Sequence, residues 1–228
     1  VTLSLAAKGV QNEITEKAVE FLLASQRPDG SWPIDTDLAI WLTSLSVNAL
    51  TEAGKLTDMS LGERTELAQW LISNQNKVVH PYTGSAPGGW GWTDKPGAVP
   101  DADDTSGVIL ALLNLADSGV RCPELIESVI CGCRWLMGIQ NKDGGVPTFC
   151  RGWGRLDFDR SCCDISAHAV SAWGRALAVI SDIKLRAGVE QAILRGLEYL
   201  RRQQSRDGFW RPLWFGCQDR PDGTNEVY

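Results

Sequence analysis

The feature that most constrains this chain is a short pattern that recurs along it: an aromatic residue, then a glutamine five positions later. The pairs are Phe21 with Gln26, Trp70 with Gln75, Trp135 with Gln140, and Tyr199 with Gln204. In three copies an Asp-Gly turn follows the glutamine at one offset: Asp29-Gly30-Ser31-Trp32, Asp143-Gly144-Gly145-Val146 and Asp207-Gly208-Phe209-Trp210. The second copy carries an insertion, Asn76 to Pro87, before its Gly88-Gly89-Trp90. Repetition at this scale marks stacked supersecondary units, none of which can bury its apolar face alone.

Each unit reads as two helices of different kinds. The stretch ending at each glutamine is amphipathic, with Val19, Leu22 and Leu23, or Ile193, Leu197 and Leu200, at helical spacing and charges between them. Ser60 with Glu63 has the form of a capping box, and Pro123 suits a first helical position. After each turn comes a segment that is apolar nearly all round: Leu38 to Leu50, Gly107 to Ala116, and Ala167 to Ile180. Helices of that kind are buried on all sides. The expected fold is therefore all-α, an α/α barrel of alternating outer and inner helices. The inner helices are expected to begin at Asp35-Thr36, Asp104-Thr105 and Asp164-Ile165, each aspartate accepting hydrogen bonds from free amides at one end of the barrel.

The 228 residues, 43% of them hydrophobic, are enough for one domain spanning 1–228. A net charge of −6 and the lack of a long basic run argue against nucleic acid as a partner. No apolar run is long enough to span a bilayer, and Val1 to Val10 has no signal-peptide core. Seven cysteines, including the adjacent Cys162-Cys163, do not form an even disulfide framework and point to a reducing cytoplasm. Three inner segments stand against four outer ones, and the last unit stops at Tyr228. The chain is thus expected to be an incomplete barrel: part of a longer protein, inactive alone, or covering an open edge by self-association.

Chemistry is concentrated where Gly88-Gly89-Trp90-Gly91-Trp92 precedes Asp101-Ala102-Asp103-Asp104-Thr105 by a few residues. Crowded carboxyls seldom all ionise, a protonated carboxyl is an acid, and aromatic faces hold the cation that such an acid makes. The plainer reading is an acidic loop whose last member, Asp104, caps a helix. The ten tryptophans are mostly architectural, Trp32, Trp90 and Trp210 among them.

The Gln-Asp-Gly-x-Trp repeats, the Asp101-Ala102-Asp103-Asp104-Thr105 run and the helix opening Asp164-Ile165-Ser166-Ala167-His168 resemble squalene-hopene cyclases, which are class II terpene cyclases. The resemblance covers most of the chain. It implies that Asp103 protonates a terminal alkene of a squalene-like polyprenyl hydrocarbon, starting carbocationic ring closure. Asp101 and Asp104 would be its carboxylate neighbours, and His168 the histidine bonded to the acid. Asp35 and Asp164 match aspartates at inner-helix starts. Trp92 stands at a cation-stabilising aromatic, Phe149 where a tyrosine is usual, Trp214 at a cavity tryptophan, and Tyr228 at a tyrosine tied to proton resupply. The resemblance implies no cofactor and no metal, since a plain hydrocarbon needs none, and peripheral attachment to the inner face of the membrane.

Other readings stay open. His168 would be a core histidine on an apolar helix, and Asp35 and Asp164 mere caps, if the site were not built; the position of His168 one turn past Asp164 favours the site. Class II diterpene cyclases use a similar aspartate motif with magnesium on a prenyl diphosphate, but no basic cluster clearly serves one. Prenyltransferase β subunits hold zinc through Asp-x-Cys; here Ser166 stands where the thiolate would be, and Cys162-Cys163 offers no defensible ligand spacing. A non-catalytic barrel binding a lipid or protein is the alternative from another class. The intact set Asp101, Asp103, Asp104 and His168 argues against it.

Overall fold

A computed structural model of the protein describes residues 13–31, 37–150, 159–211 and 213. The chain divides into two compact units, Val1–Asp37 and Leu38–Tyr228. The first contains helix α1, Glu13–Ser25, followed by a turn in which Gln26 Nε2 donates to Gly30 O at 3.1 Å. Its apolar face is not buried: Val19, Leu22 and Leu23 are exposed, because among the described residues of this unit no second helix stands against them.

The second unit is almost wholly helical: α2 (Ala39–Glu52), a 3-10 turn (Leu56–Asp58), α3 (Leu61–Ser73), α4 (Ala102–Asp117), α5 (Leu125–Ile139), α6 (Cys163–Ala176) and α7 (Ile183–Gln203). Two short antiparallel strands, β1 (Val146–Pro147) and β2 (Ser161–Cys162), pair Val146 with Cys162. Helices α2, α4 and α6 lie side by side as an inner layer, and α3, α5 and α7 back them as an outer one. This is the all-α helical-hairpin arrangement of the α/α toroid. Burial all round holds for α4 alone, where 11 of 16 residues are buried, including Val108, Ile109, Leu112 and Leu115. Among the described residues, only α4 has an inner neighbour on both sides. Accordingly α2 leaves Trp41, Leu42 and Leu45 exposed.

The repeated residues explain the stacking. Gln75 Nε2 donates to Gly88 O in its own turn at 2.8 Å and to Ser128 O on α5 at 2.9 Å. Gln140 Nε2 repeats this, to Gly144 O at 2.8 Å and Ala192 O on α7 at 2.9 Å. Each glutamine thus closes a turn and ties it to the next outer helix. The insertion does not disturb this because its base is clipped, Asn76 N to Gly89 O at 2.9 Å and Gly88 N to Asn76 O at 2.7 Å. The aromatics fit the same scheme. A side-chain carbon on Gly89 would stand 2.8 Å from the Trp135 ring, and one on Gly145 would stand 2.9 Å from Tyr199, so each turn glycine is the seat of the following aromatic. Gln140→Ala removes both donated bonds and the Arg195 guanidinium's acceptor, and is expected to cost roughly 1–3 kcal/mol by urea unfolding. An unchanged midpoint would show that water replaces them without loss.

Two boundary expectations are corrected. Ser60 and Glu63 do form the capping box of α3, with Glu63 Oε2 accepting from Ser60 N at 2.8 Å. However, α5 starts at Leu125, leaving Pro123 in the preceding turn. The third inner helix runs Cys163–Ala176, beginning one residue before its expected start at Asp164 but ending four residues before its apolar run does at Ile180, because the chain turns at Leu177–Val179 and an apolar turn carries no polar signal.

Candidate active site

The start of α4 is set by Asp101. Its backbone is extended, and it bridges Trp90 on one side and Phe149 on the other. Asp101 N donates to Trp90 O at 2.9 Å, and Ala102 N donates to Thr148 O at 2.9 Å. Held in this way, Asp101 Oδ1 accepts from Asp104 N at 2.8 Å. The cap is therefore Asp101 and not Asp104, because capping needs the extended backbone that only Asp101 has. Asp103 and Asp104 both lie in the first helical turn, about 100° apart around the axis. Asp104 turns into the core, whereas Asp103 faces α6 with its side chain 40% exposed. There Asp103 Oδ1 accepts a hydrogen bond from His168 Nδ1 at 2.7 Å, across 65 residues of sequence. With the imidazole carrying hydrogen on Nδ1, Oδ2 of Asp103 is left for another partner.

Asp101 and Asp104 are deeply buried, and Asp101 Oδ2 and Asp104 Oδ1 find no acceptor or donor among the described residues. Burial first, then the charge of Asp104 and a hydrogen bond to it, raise Asp101 well above the usual carboxylate range. Burial likewise pushes Asp104 up to about 6, with the hydrogen bond from Asp101 pulling the other way. Both folded values lie above the unfolded ones, so the stability they carry is full below about pH 4 and is lost as pH rises through about 6 and beyond. Replacing Asp104 by asparagine removes one titration while keeping a donor for Asp101. Between about pH 4 and 7 the Asp104→Asn protein is expected to lose roughly 2–3 kcal/mol less unfolding free energy than the parent. Urea titrations at the two pH values check this, and parallel losses would show that burial does not raise Asp104.

The structure brings Trp92 and Phe149 together, ring centroids 6.4 Å apart in a T-shaped arrangement. Both follow from the bridged backbone around Asp101. Trp92 also accepts, through its carbonyl, the Ile40 and Trp41 amides at the start of α2, at 3.1 and 3.3 Å. Asp164 lies in the first turn of α6, one turn before His168, but it is not the cap; Cys162 holds that position without a side-chain cap bond. Instead the Cys162 thiol donates to Asp164 Oδ1 at 2.5 Å, and burial together with Asp164 pushes that thiol up to about 12. Asp164 also borders an apolar cavity of about 360 Å³ with Cys163, Leu200, Phe209 and Trp210. Asp35, Trp214 and Tyr228 lie outside the described residues.

Three contributors escaped sequence reasoning. Thr105 Oγ1 accepts from Trp90 N at 2.9 Å, and Ser166 Oγ accepts from Val146 N at 2.8 Å, each hydroxyl tethering a repeat turn to an inner helix. Their shared offset, four residues after Asp101 and after Cys162, was the available signal. The Cys162 thiol had none, since its partner is set by the turn geometry.

Stacked helical hairpins with an Asp-His pair at the start of the inner layer define the class: an α/α-toroid protein with a candidate acid site. The chain belongs to the squalene-hopene cyclase family, residues 38–217 matching the squalene-hopene cyclase C-terminal domain. It is 27% identical over 226 residues to the enfumafungin synthase of Hormonema carpetanum, covering 90% of this chain and 17% of that one. It is 29% identical to the squalene-hopene cyclase of Schizosaccharomyces japonicus, over 83% of this chain and 29% of that protein. It is 28% identical to the squalene-hopene cyclase of Alicyclobacillus acidocaldarius, over 87% of this chain and 31% of that protein. The chain thus spans less than a third of the length of these relatives.

Proposed function

We propose that the protein bearing this chain is a class II terpene cyclase of the triterpene type, with Asp103 as the acid that starts cyclisation. The observation that carries the reading is the 2.7 Å bond between Asp103 and His168, with Asp103 half-exposed at the start of an otherwise buried helix. An isolated alkene is a very weak base, so the acid must be held against it and its conjugate base stabilised as it forms. The terminal double bond of a squalene-like polyene takes the proton from Asp103 Oδ2 through its π electrons. The proton bonds to the less substituted carbon, the tertiary carbon becomes cationic, and the next double bond attacks it to close a ring. The carboxylate left on Asp103 keeps the His168 Nδ1 hydrogen bond. Burial holds Asp101 and Asp104 toward their neutral forms behind it, which limits the negative charge that opposes ionisation. Trp92 and Phe149 supply π faces that stabilise a cation without adding a nucleophile.

Similarity to relatives named squalene-hopene cyclase supports a squalene-like hydrocarbon substrate. Incubation of the intact protein with squalene and analysis of the extracted products test the reading. Cyclic triterpenes are the expected result. Conversion of geranylgeranyl diphosphate with squalene left untouched would replace it by the diterpene reading, and turnover of neither by the lipid-binding one.

A further inference from the structure

Gly107 lies four residues after Asp103 on α4, and so on the same face of the helix. Nothing in its backbone calls for glycine: it is not among the residues of positive φ, and glycine inside a helix costs about 0.5–1 kcal/mol relative to alanine. What glycine supplies here is space. A side-chain carbon on it would stand 3.0 Å from Ser44 Oγ on α2 and 3.6 Å from His168 Cε1 on α6. Ser44 is 1% exposed and its hydroxyl is committed to Trp41 O at 3.0 Å. Asn48, one turn on, donates to Gly107 O at 3.2 Å. All three inner helices therefore converge on one bare Cα, one turn below the acid.

We propose that Gly107 is a positioning residue for the Asp103–His168 pair: its missing side chain is the seat against which the imidazole lies, so that Nδ1 faces Asp103. This rests on the reading of that pair as the acid site. Gly107 is buried and touches no substrate; it acts through His168. A single methyl meets the ring in ordinary contact, whereas the branches of valine reach about 1.5 Å further and compete with the ring or with Ser44 for the same volume.

The test uses Gly107→Val in the intact protein, alone and combined with Ser44→Ala, which removes the hydroxyl nearest the new side chain. If glycine serves only the contact with Ser44, the double variant regains stability, turnover and an unaltered His168. The proposal expects stability to return while turnover stays down roughly 10²-fold with little change in KM. It also expects the ¹⁵N signal of His168 Nδ1 to leave its hydrogen-bonded position while that of His80, the chain's other histidine, stays in place. A parental His168 signal and parental turnover in the double variant would overturn it. Should the valine variants fail to fold, Gly107→Cys with Ser44→Ala is read in their place, since its sulfur reaches past the methyl position toward the ring; an unmoved His168 signal there overturns the proposal and a moved one supports it. The imidazole signal is independent of catalysis. Full turnover in Asp103→Asn would therefore remove the acid reading without deciding the seat.

Discussion

Asp103→Asn is expected to lower squalene cyclisation by roughly 10²–10⁴-fold while leaving the melting temperature nearly unchanged. The amide has the shape of the carboxyl and can still accept the His168 Nδ1 hydrogen bond through its oxygen. It cannot release a proton to a hydrocarbon, and no neighbour replaces it. Asp101 and Asp104 are both turned into the protein, 3% and 4% exposed, so neither reaches a substrate lying against Asp103. The half-exposed position of Asp103 is the reason stability is spared, since a surface-facing amide needs no buried partner. His168→Ala should fall between the two, because it removes the stabilisation of the carboxylate and leaves the proton. Product extraction and circular dichroism on the same preparations check both halves. Turnover within threefold of the parent would remove Asp103 from the mechanism. A collapsed melting temperature would mean that the lost turnover is a folding effect.

Trp90→Ala is expected to be the most damaging change to the fold, costing about 3–5 kcal/mol. The indole is 0% exposed. Its Nε1 donates to Leu71 O on α3 at 2.7 Å, its backbone amide is held by Thr105 on α4, and its ring lies where a side chain on Gly132 of α5 would stand 3.0 Å away. The indole thus joins α3 to α5, while the Trp90 backbone, which alanine keeps, ties to α4 and bridges to Asp101. Against a typical total of 5–15 kcal/mol the loss is a large share. Trp90→Phe keeps most of the ring and gives up the Leu71 bond, so its cost should be nearer 1–3 kcal/mol. Urea unfolding of the two variants gives the comparison. A loss below about 1 kcal/mol for alanine would show that the neighbouring helices close over the gap. The exposed Trp210 is the matching residue of the last repeat, donating to Leu200 O at 2.8 Å, and its replacement should cost far less because 39% of it already meets solvent.

The comparison of these two tryptophans shows how far the repeat could be read. Both stand two residues after a turn glycine, Gly88 or Gly208, and both donate to the corresponding outer-helix carbonyl, so the pattern located the contact. It did not give the burial, which depends on whether a further outer helix covers the turn; α5 covers Trp90. The glutamines behave alike. The spacing placed Gln75 and Gln140 at the ends of outer helices, but only the folded chain shows each binding the next unit.

The candidate site divides along the same line. Sequence alone determined the hairpin repeat, the alternation of outer and inner helices, and which residue types gather at the inner-helix starts, because periodicity and turn chemistry are local properties of a few consecutive residues. Local pattern put Asp101, Asp103 and Asp104 in one short segment and offered Asp104 as the cap, and the family resemblance singled out Asp103 as the partner of His168. Tertiary structure decided that the cap is Asp101, that Asp104 is buried and that Asp103 lies within reach of His168. Those roles depend on the rotation of α4 about its axis, and that rotation is set by the Trp90 and Phe149 bridges and by the convergence of α2 and α6 on Gly107. A rotation of about 100° per residue exchanges buried for exposed, so contacts between residues 65 positions apart decide what three adjacent carboxyls can do.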